Sequence, residues 1–152
     1  LAATSITDRD LEPLRHTLDD LALESDLGEL ADGDSDRAFH HLIAVATRNK
    51  MLMLISDQLW HVRNHAPQVH GAYKAICDTD GAKRVEEHRE IYEALVRRDA
   101  DAARKAMHVH FSRILNKLIA TSEAEKVEKI RQQSEEVRRR FSLDHLVTGA
   151  AP

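Results

Sequence analysis

Asp36 and His40 stand four residues apart in a stretch of helical character, and His88 and His110 fall in two later stretches with apolar neighbours. Four residues is just over one helical turn, so Asp36 and His40 share a face. At helical spacing around His88 lie Val85, Ile91, Tyr92 and Leu95, and around His110 lie Ala103, Ala106, Met107 and Ile114. Each imidazole therefore points where a helix hides apolar side chains. Buried polar rings need partners, and a divalent transition metal satisfies neutral imidazole nitrogens and a carboxylate oxygen together. Zinc or nickel suits this donor set best, with manganese and iron left open. The competing reading is three separate core histidines with ordinary hydrogen bonds, because Asp-x-x-x-His alone is a common pair.

The elements that must position these residues are helices. Thr7 with Asp10 reads as a capped start to a helix bearing Leu11, Leu14, Leu18, Leu21 and Ala22. The segment Asp32-Gly-Asp-Ser-Asp36 breaks the chain and opens the next helix, which runs to about Arg48 on a stripe of Phe39, Leu42, Ile43 and Ala46. Asn49 and Lys50 interrupt it. A third helix spans Met51 to about Asn64, with Pro67 ending or kinking it. A further helix is expected over residues 68–78, then a turn from Asp78 to Gly81. Helices follow from Ala82 to Arg98, from an Asp99 cap to about Ala120, and from Ser122 through a strongly charged stretch to about Phe141. Residues 142–152 read as a disordered tail. The expectation is an all-α, antiparallel bundle of six to seven helices forming one domain over residues 1–141.

Composition agrees. The 152 residues are 42% hydrophobic and 32% charged, with 5 Gly, 3 Pro and 4% aromatics, a balance that favours helix over sheet. A net charge of −4 gives no basic footprint for nucleic acid. The run Arg138-Arg139-Arg140 follows Glu135 and Glu136 and reads as a solvated helix end. The single cysteine, Cys77, excludes an internal disulfide and fits packing in a reducing cytoplasm. No stretch is apolar enough for a signal peptide or membrane span, so no membrane partner is expected. The opening Leu-Ala-Ala resembles the tail of a helix, which points to an N-terminal part preceding it.

Three blocks carry a family resemblance. Asp36-Arg-Ala-Phe39-His40 with Ile43, Ala44, Ala46 and Asn49, then Glu87-His88-x-x-Ile91-x-x-Ala94-Leu95, then Asp99-x-x-x-Ala103-x-x-x-Met107-x-x-His110-Phe111, follow one another in order. They resemble the signature helices of the FCD domain, the C-terminal effector-binding domain of FadR-type regulators in the GntR family. The resemblance covers roughly residues 3 to 120.

It implies an all-helical domain that binds a small molecule, often with a divalent metal held by Asp36, His40, His88 and His110. It also implies a homodimer in the cytoplasm, and operator DNA bound through an N-terminal winged helix-turn-helix absent from these residues. A small organic acid is the expected effector, since open metal positions and a positive charge favour a carboxylate. Arg63 is a second anchor for it or else a surface arginine. His65, Trp60 and Tyr92 are the other residues expected to line the site, against core packing for the two aromatics. Glu87, beside His88, is expected in solvent, because adjacent helical positions face different ways. His41 and His108 are expected at the surface, and Asn49 as a helix C-terminal residue. Two other functions remain in view: a metal-dependent hydrolase on a helical bundle, and a structural module that docks partners through helix 122–141.

Overall fold

A computed structural model describes residues 1–28 and 34–141, with six helices and no strand among them. These are α1 (Ala2–Ser5), α2 (Asp8–Leu27), α3 (Ser35–Ala46), α4 (Lys50–His65), α5 (Pro67–Val96) and α6 (Ala100–Phe141). The all-α expectation holds. The 142–152 tail and residues 32 and 33 of the expected loop lie outside the described residues.

Local chemistry sets the boundaries. Thr7 opens α2 with its backbone N–H and hydroxyl both bonded to Asp10 Oδ2, at 2.8 and 2.7 Å. Gly28 closes α2 at φ +73°, a left-handed conformation that costs glycine little. Asn49 belongs to the start of α4 rather than the end of α3: its Oδ1 accepts from the amides of Met51 and Leu52. Asn has the short carbonyl that an N-cap needs, so the correction follows from capping chemistry. Pro67 begins α5, where its missing N–H costs nothing. Asp99 accepts from Ala102 N at 2.9 Å and starts α6 as expected.

The helices expected on either side of the Asp78–Gly81 turn do part there: Asp80, with φ of −138° and ψ of 27°, leaves the helical region and kinks α5, which then runs to Val96. One expected break is absent. The stretches either side of Thr121 and Ser122 are one helix, because Ala, Ser and Glu there propagate helix well enough to need no break.

Two compact units divide the chain, residues 1–118 and 119–152. In the first, Ala3, Ile6, Leu14, Phe39, Ala46, Ile91 and Leu95 form one buried cluster, with Ala103, Ala106 and Met107 of α6 packed on it. Leu21, Tyr73, Cys77 and Val85 form a second. Cys77 is thus a packing residue, as its surroundings in sequence imply. In the second unit, Val127, Ile130, Val137 and Phe141 of α6 are exposed. No described helix is long and apolar enough to cross a membrane.

Candidate metal centre

Asp36 sits in the first turn of α3 and is fully buried. A lone carboxylate there would be too costly to ionise, so its partners decide its state. Its Oδ2 accepts from Arg63 Nη1 at 3.3 Å, from the Tyr73 hydroxyl at 2.5 Å and from Arg84 Nη2. Its Oδ1 faces His88 Nε2 at 2.8 Å and His40 Nε2 at 3.5 Å. Burial pushes the Asp36 carboxyl upward, but the Arg84 charge and the bonds from His40 and His88 hold it well below the usual range. It is a carboxylate.

Three rings surround it. Their centroids are 5.2 Å apart for His40 and His88, 5.3 Å for His40 and His110, and 4.5 Å for His88 and His110. One donor atom from each of Asp36, His40, His88 and His110 lies within 4.8 Å of every other. The structure therefore brings together the four residues singled out by helical spacing.

The hydrogen bonds of the rings fix which nitrogens remain. His88 Nδ1 is 2.8 Å from the carbonyl oxygen of Arg84, which can only accept, so that nitrogen carries a proton. In a neutral ring, Nε2 then turns a lone pair toward Asp36 Oδ1. His110 Nδ1 donates to Glu87 Oε2 at 3.0 Å, while its Nε2 is buried without a partner. Burial above all, then the neighbouring rings, pushes the His110 imidazole down to about 2. Burial likewise lowers His40, against the pull of Asp36. With His40 and His110 held neutral, the ring nitrogens gathered around the Asp36 carboxylate match the donor types that a transition metal takes. A proton shared between His88 and Asp36 would satisfy those two and leave His110 Nε2 unmet.

The remaining expectations divide. Arg63 is no surface arginine: it bonds Asp36, and its guanidinium carbon lies 4.2 Å from the Trp60 ring centroid and 3.8 Å from that of Tyr73. Trp60 also lies beside His40, with centroids 6.2 Å apart. His65 faces solvent, its Nδ1 bonded to the His61 carbonyl at 2.8 Å and its ring stacked on His61. Tyr92 packs against the first core cluster. His41 pairs with Asp57 near the surface and His108 is exposed, as expected.

Three site residues escaped the sequence reading. Arg84, 2% exposed, supports Asp36 and Tyr73 while its Nε and Nη1 are buried and unpaired. Tyr73 bonds Asp36 from the N-terminal half of α5. Glu87 was expected in solvent but is 2% exposed, bonding His110 and Arg113 of α6. Arg84 lies one turn before His88, which is the one signal that pointed to it. The partner of Glu87 is on another helix, which no local spacing reveals.

The model of the FCD domain matches residues 1–113. This chain belongs to the FCD domain family. The FCD match ends at Arg113, and α6 continues beyond it. Curated relatives of this FCD chain are transcriptional regulators rather than enzymes. It is 31% identical over 130 residues to the Uxu operon transcriptional regulator of Escherichia coli (strain K12), covering 83% of this chain and 50% of the relative. It is 31% identical over 112 residues to the Exu regulon transcriptional regulator of the same strain, covering 72% and 41%. An uncharacterised HTH-type transcriptional regulator of Bacillus subtilis (strain 168) is 28% identical over 121 residues, covering 78% and 47%. The FCD chain thus spans about half the length of the curated relatives it matches. No solved structure matches it at a significant level.

Proposed function

We propose that this domain senses a small organic acid at a divalent transition metal held by Asp36, His40, His88 and His110. The observation that carries the reading is the set of ring nitrogens. His88 Nε2 faces a carboxylate oxygen while its Nδ1 is occupied, and His110 Nε2 is buried with no partner. Zinc or nickel fits three imidazoles and one carboxylate. When bound, such an ion supplies a concentrated positive charge and coordination positions for a carboxylate oxygen.

The charges around Asp36 favour an anion even before a metal is counted. Two guanidinium groups, Arg63 and Arg84, stand against one carboxylate. The unpaired Nε and Nη1 of Arg84 are donors in search of an acceptor, and arginine suits carboxylate recognition. Trp60 and Tyr73 flank Arg63 and hold its plane. In the whole protein, acid binding is read out by a homodimer through an N-terminal winged helix-turn-helix that contacts operator DNA in the cytoplasm. The HTH-type name of one relative, with the half of the relatives' length beyond this chain, supports the DNA-binding part of that arrangement.

Elemental mass spectrometry of the purified protein, with His110→Ala alongside, tests the metal. About one equivalent in the parent and a strong loss in the variant is the expected outcome. A metal-free parent after reconstitution with zinc and with nickel overturns the reading. Thermal shift of the loaded protein against a panel of organic acids then tests the sensor. Stabilisation by an acid that is recovered unchanged, and is lost in Arg63→Ala, is expected. Consumption of the acid would instead revive a hydrolytic role.

A further inference from the structure

Arg113 lies on α6, three residues beyond His110, so the two side chains leave the same face of that helix. Its guanidinium spans two carboxylates of α5. Nε and Nη2 donate to Glu87 Oε1 and Oε2 at 2.5 and 2.8 Å, and Nη1 donates to Asp80 Oδ2 at 3.0 Å. Lys117, one turn further along α6, also donates to Asp80. Asp80 is the residue at which α5 leaves helical geometry. Glu87, at the other end of the fork, accepts the Nδ1 proton of His110 at 3.0 Å.

The bend matters because both halves of α5 converge on one carboxylate. Before the bend, Tyr73 bonds Asp36 Oδ2; after it, Arg84 bonds the same oxygen and His88 faces Oδ1. Arg113 thus contacts both Asp80 at the bend and the carboxylate that accepts from His110.

We propose that Arg113 is a positioning residue which sets the His110 ring through Glu87 and couples it to the bend of α5 at Asp80. The inference rests on the metal reading above. Occupancy of the centre and the geometry of α5 are then one equilibrium, which gives the site a mechanical output. Arginine is needed because its planar fork grips Glu87 with two donors and still reaches Asp80, whereas lysine offers a single point charge. Groups that orient a metal-binding histidine are worth about 10–100-fold in metal affinity.

The test uses the chain as it stands, with zinc alone as probe. Affinity is read by competition with a chromophoric chelator, and backbone order by hydrogen exchange over residues 76–84. Arg113→Lys and Arg113→Met are each expected to weaken zinc by roughly 10–100-fold. Asp80→Asn, which leaves the Glu87 fork intact, is expected to keep affinity within a few-fold. It loses the slowing of exchange that zinc produces at 76–84 in the parent. A residue that merely stabilised the fold would lower the melting temperature of the metal-free form and leave zinc affinity unchanged. Should Arg113→Met fail to fold, Arg113→Lys and Asp80→Asn carry the test. Unchanged affinity in Arg113→Lys overturns the positioning role, and parent-like protection in Asp80→Asn overturns the coupling. A parent that binds no zinc or nickel overturns the metal reading itself, and this is seen before any variant is compared.

Discussion

Asp36 Oδ1 stands 2.8 Å from His88 Nε2, and the opposite nitrogen of that ring is taken by the carbonyl of Arg84. A proton shared between the two would account for that distance, and so would a bound cation, which could also meet the unpartnered Nε2 of His110. Under the metal reading, stripping the protein with a chelator and restoring zinc should raise its melting temperature. At a hundredfold excess over the dissociation constant the gain is about 2.7 kcal/mol, or roughly 5–11 °C for a chain of this size. Differential scanning calorimetry measures it. An equal gain in His110→Ala would place the zinc elsewhere.

Removing Asp36 should do more damage than removing any ring. Asp36→Ala leaves the Arg84 guanidinium, 2% exposed, with no carboxylate beside it. Breaking a buried pair from one side costs about 3–5 kcal/mol. Urea unfolding of the metal-free variant should show that loss. A loss under about 1 kcal/mol would mean that water reaches Arg84 freely.

Asp10 gives a pH dependence separate from the centre. Burial is the largest single influence and raises its carboxyl, but the bonds from the Thr7 hydroxyl and amide, with the bond and charge of Arg48, together outweigh it and lower the group. A carboxylate with a depressed folded value stabilises the fold fully above about pH 4, its ordinary range, and loses that contribution as pH falls through the folded value. The stability difference between the parent and Asp10→Asn should thus be constant near neutrality and shrink in acid. A difference that grew in acid would reverse the assignment.

Arg48 and Arg98 end α3 and α5 with φ of 57° and 54°, where glycine is the usual occupant. Glycine would relieve about 1 kcal/mol of backbone strain at either place. Arg48 offers in return a half-exposed pair with Asp10, worth little. Arg98 donates to the Ile6 carbonyl and to Asp8, joining the end of α5 to the chain before α2. Arg48→Gly should be neutral or slightly stabilising in urea, whereas Arg98→Gly should be the less stable of the two. The reverse order would show that the Ile6 bond contributes nothing.

The sequence was informative where chemistry is local. Asp36 with His40 is one turn, His88 and His110 sit among their own apolar neighbours, and Thr7, Asp99 and Pro67 mark helix ends by capping and ring geometry. These need only one helix at a time. Arg84, Glu87 and Arg113 take their meaning from groups 23 to 48 positions away along the chain, so beyond the one-turn spacing of Arg84 from His88 no periodicity exposes them. The single helix from Ala100 to Phe141 was missed for the opposite reason, since a short polar stretch was read as a break when helix propensity carries through it. The bend at Asp80 was read as a turn between helices: Asp and Gly signalled departure from helix, not how brief it would be.

The one helix around the centre that buries none of its residues is α4, although it supplies Arg63 and Trp60. By contrast α3, α5 and α6 each hold residues wholly shielded from solvent, among them Phe39, Ile91 and His110. Segments with little buried apolar surface open first and most often. Of the helices that cover Asp36, α4 is therefore the one expected to open first, and amide exchange across Lys50–His65 should outpace that of α3.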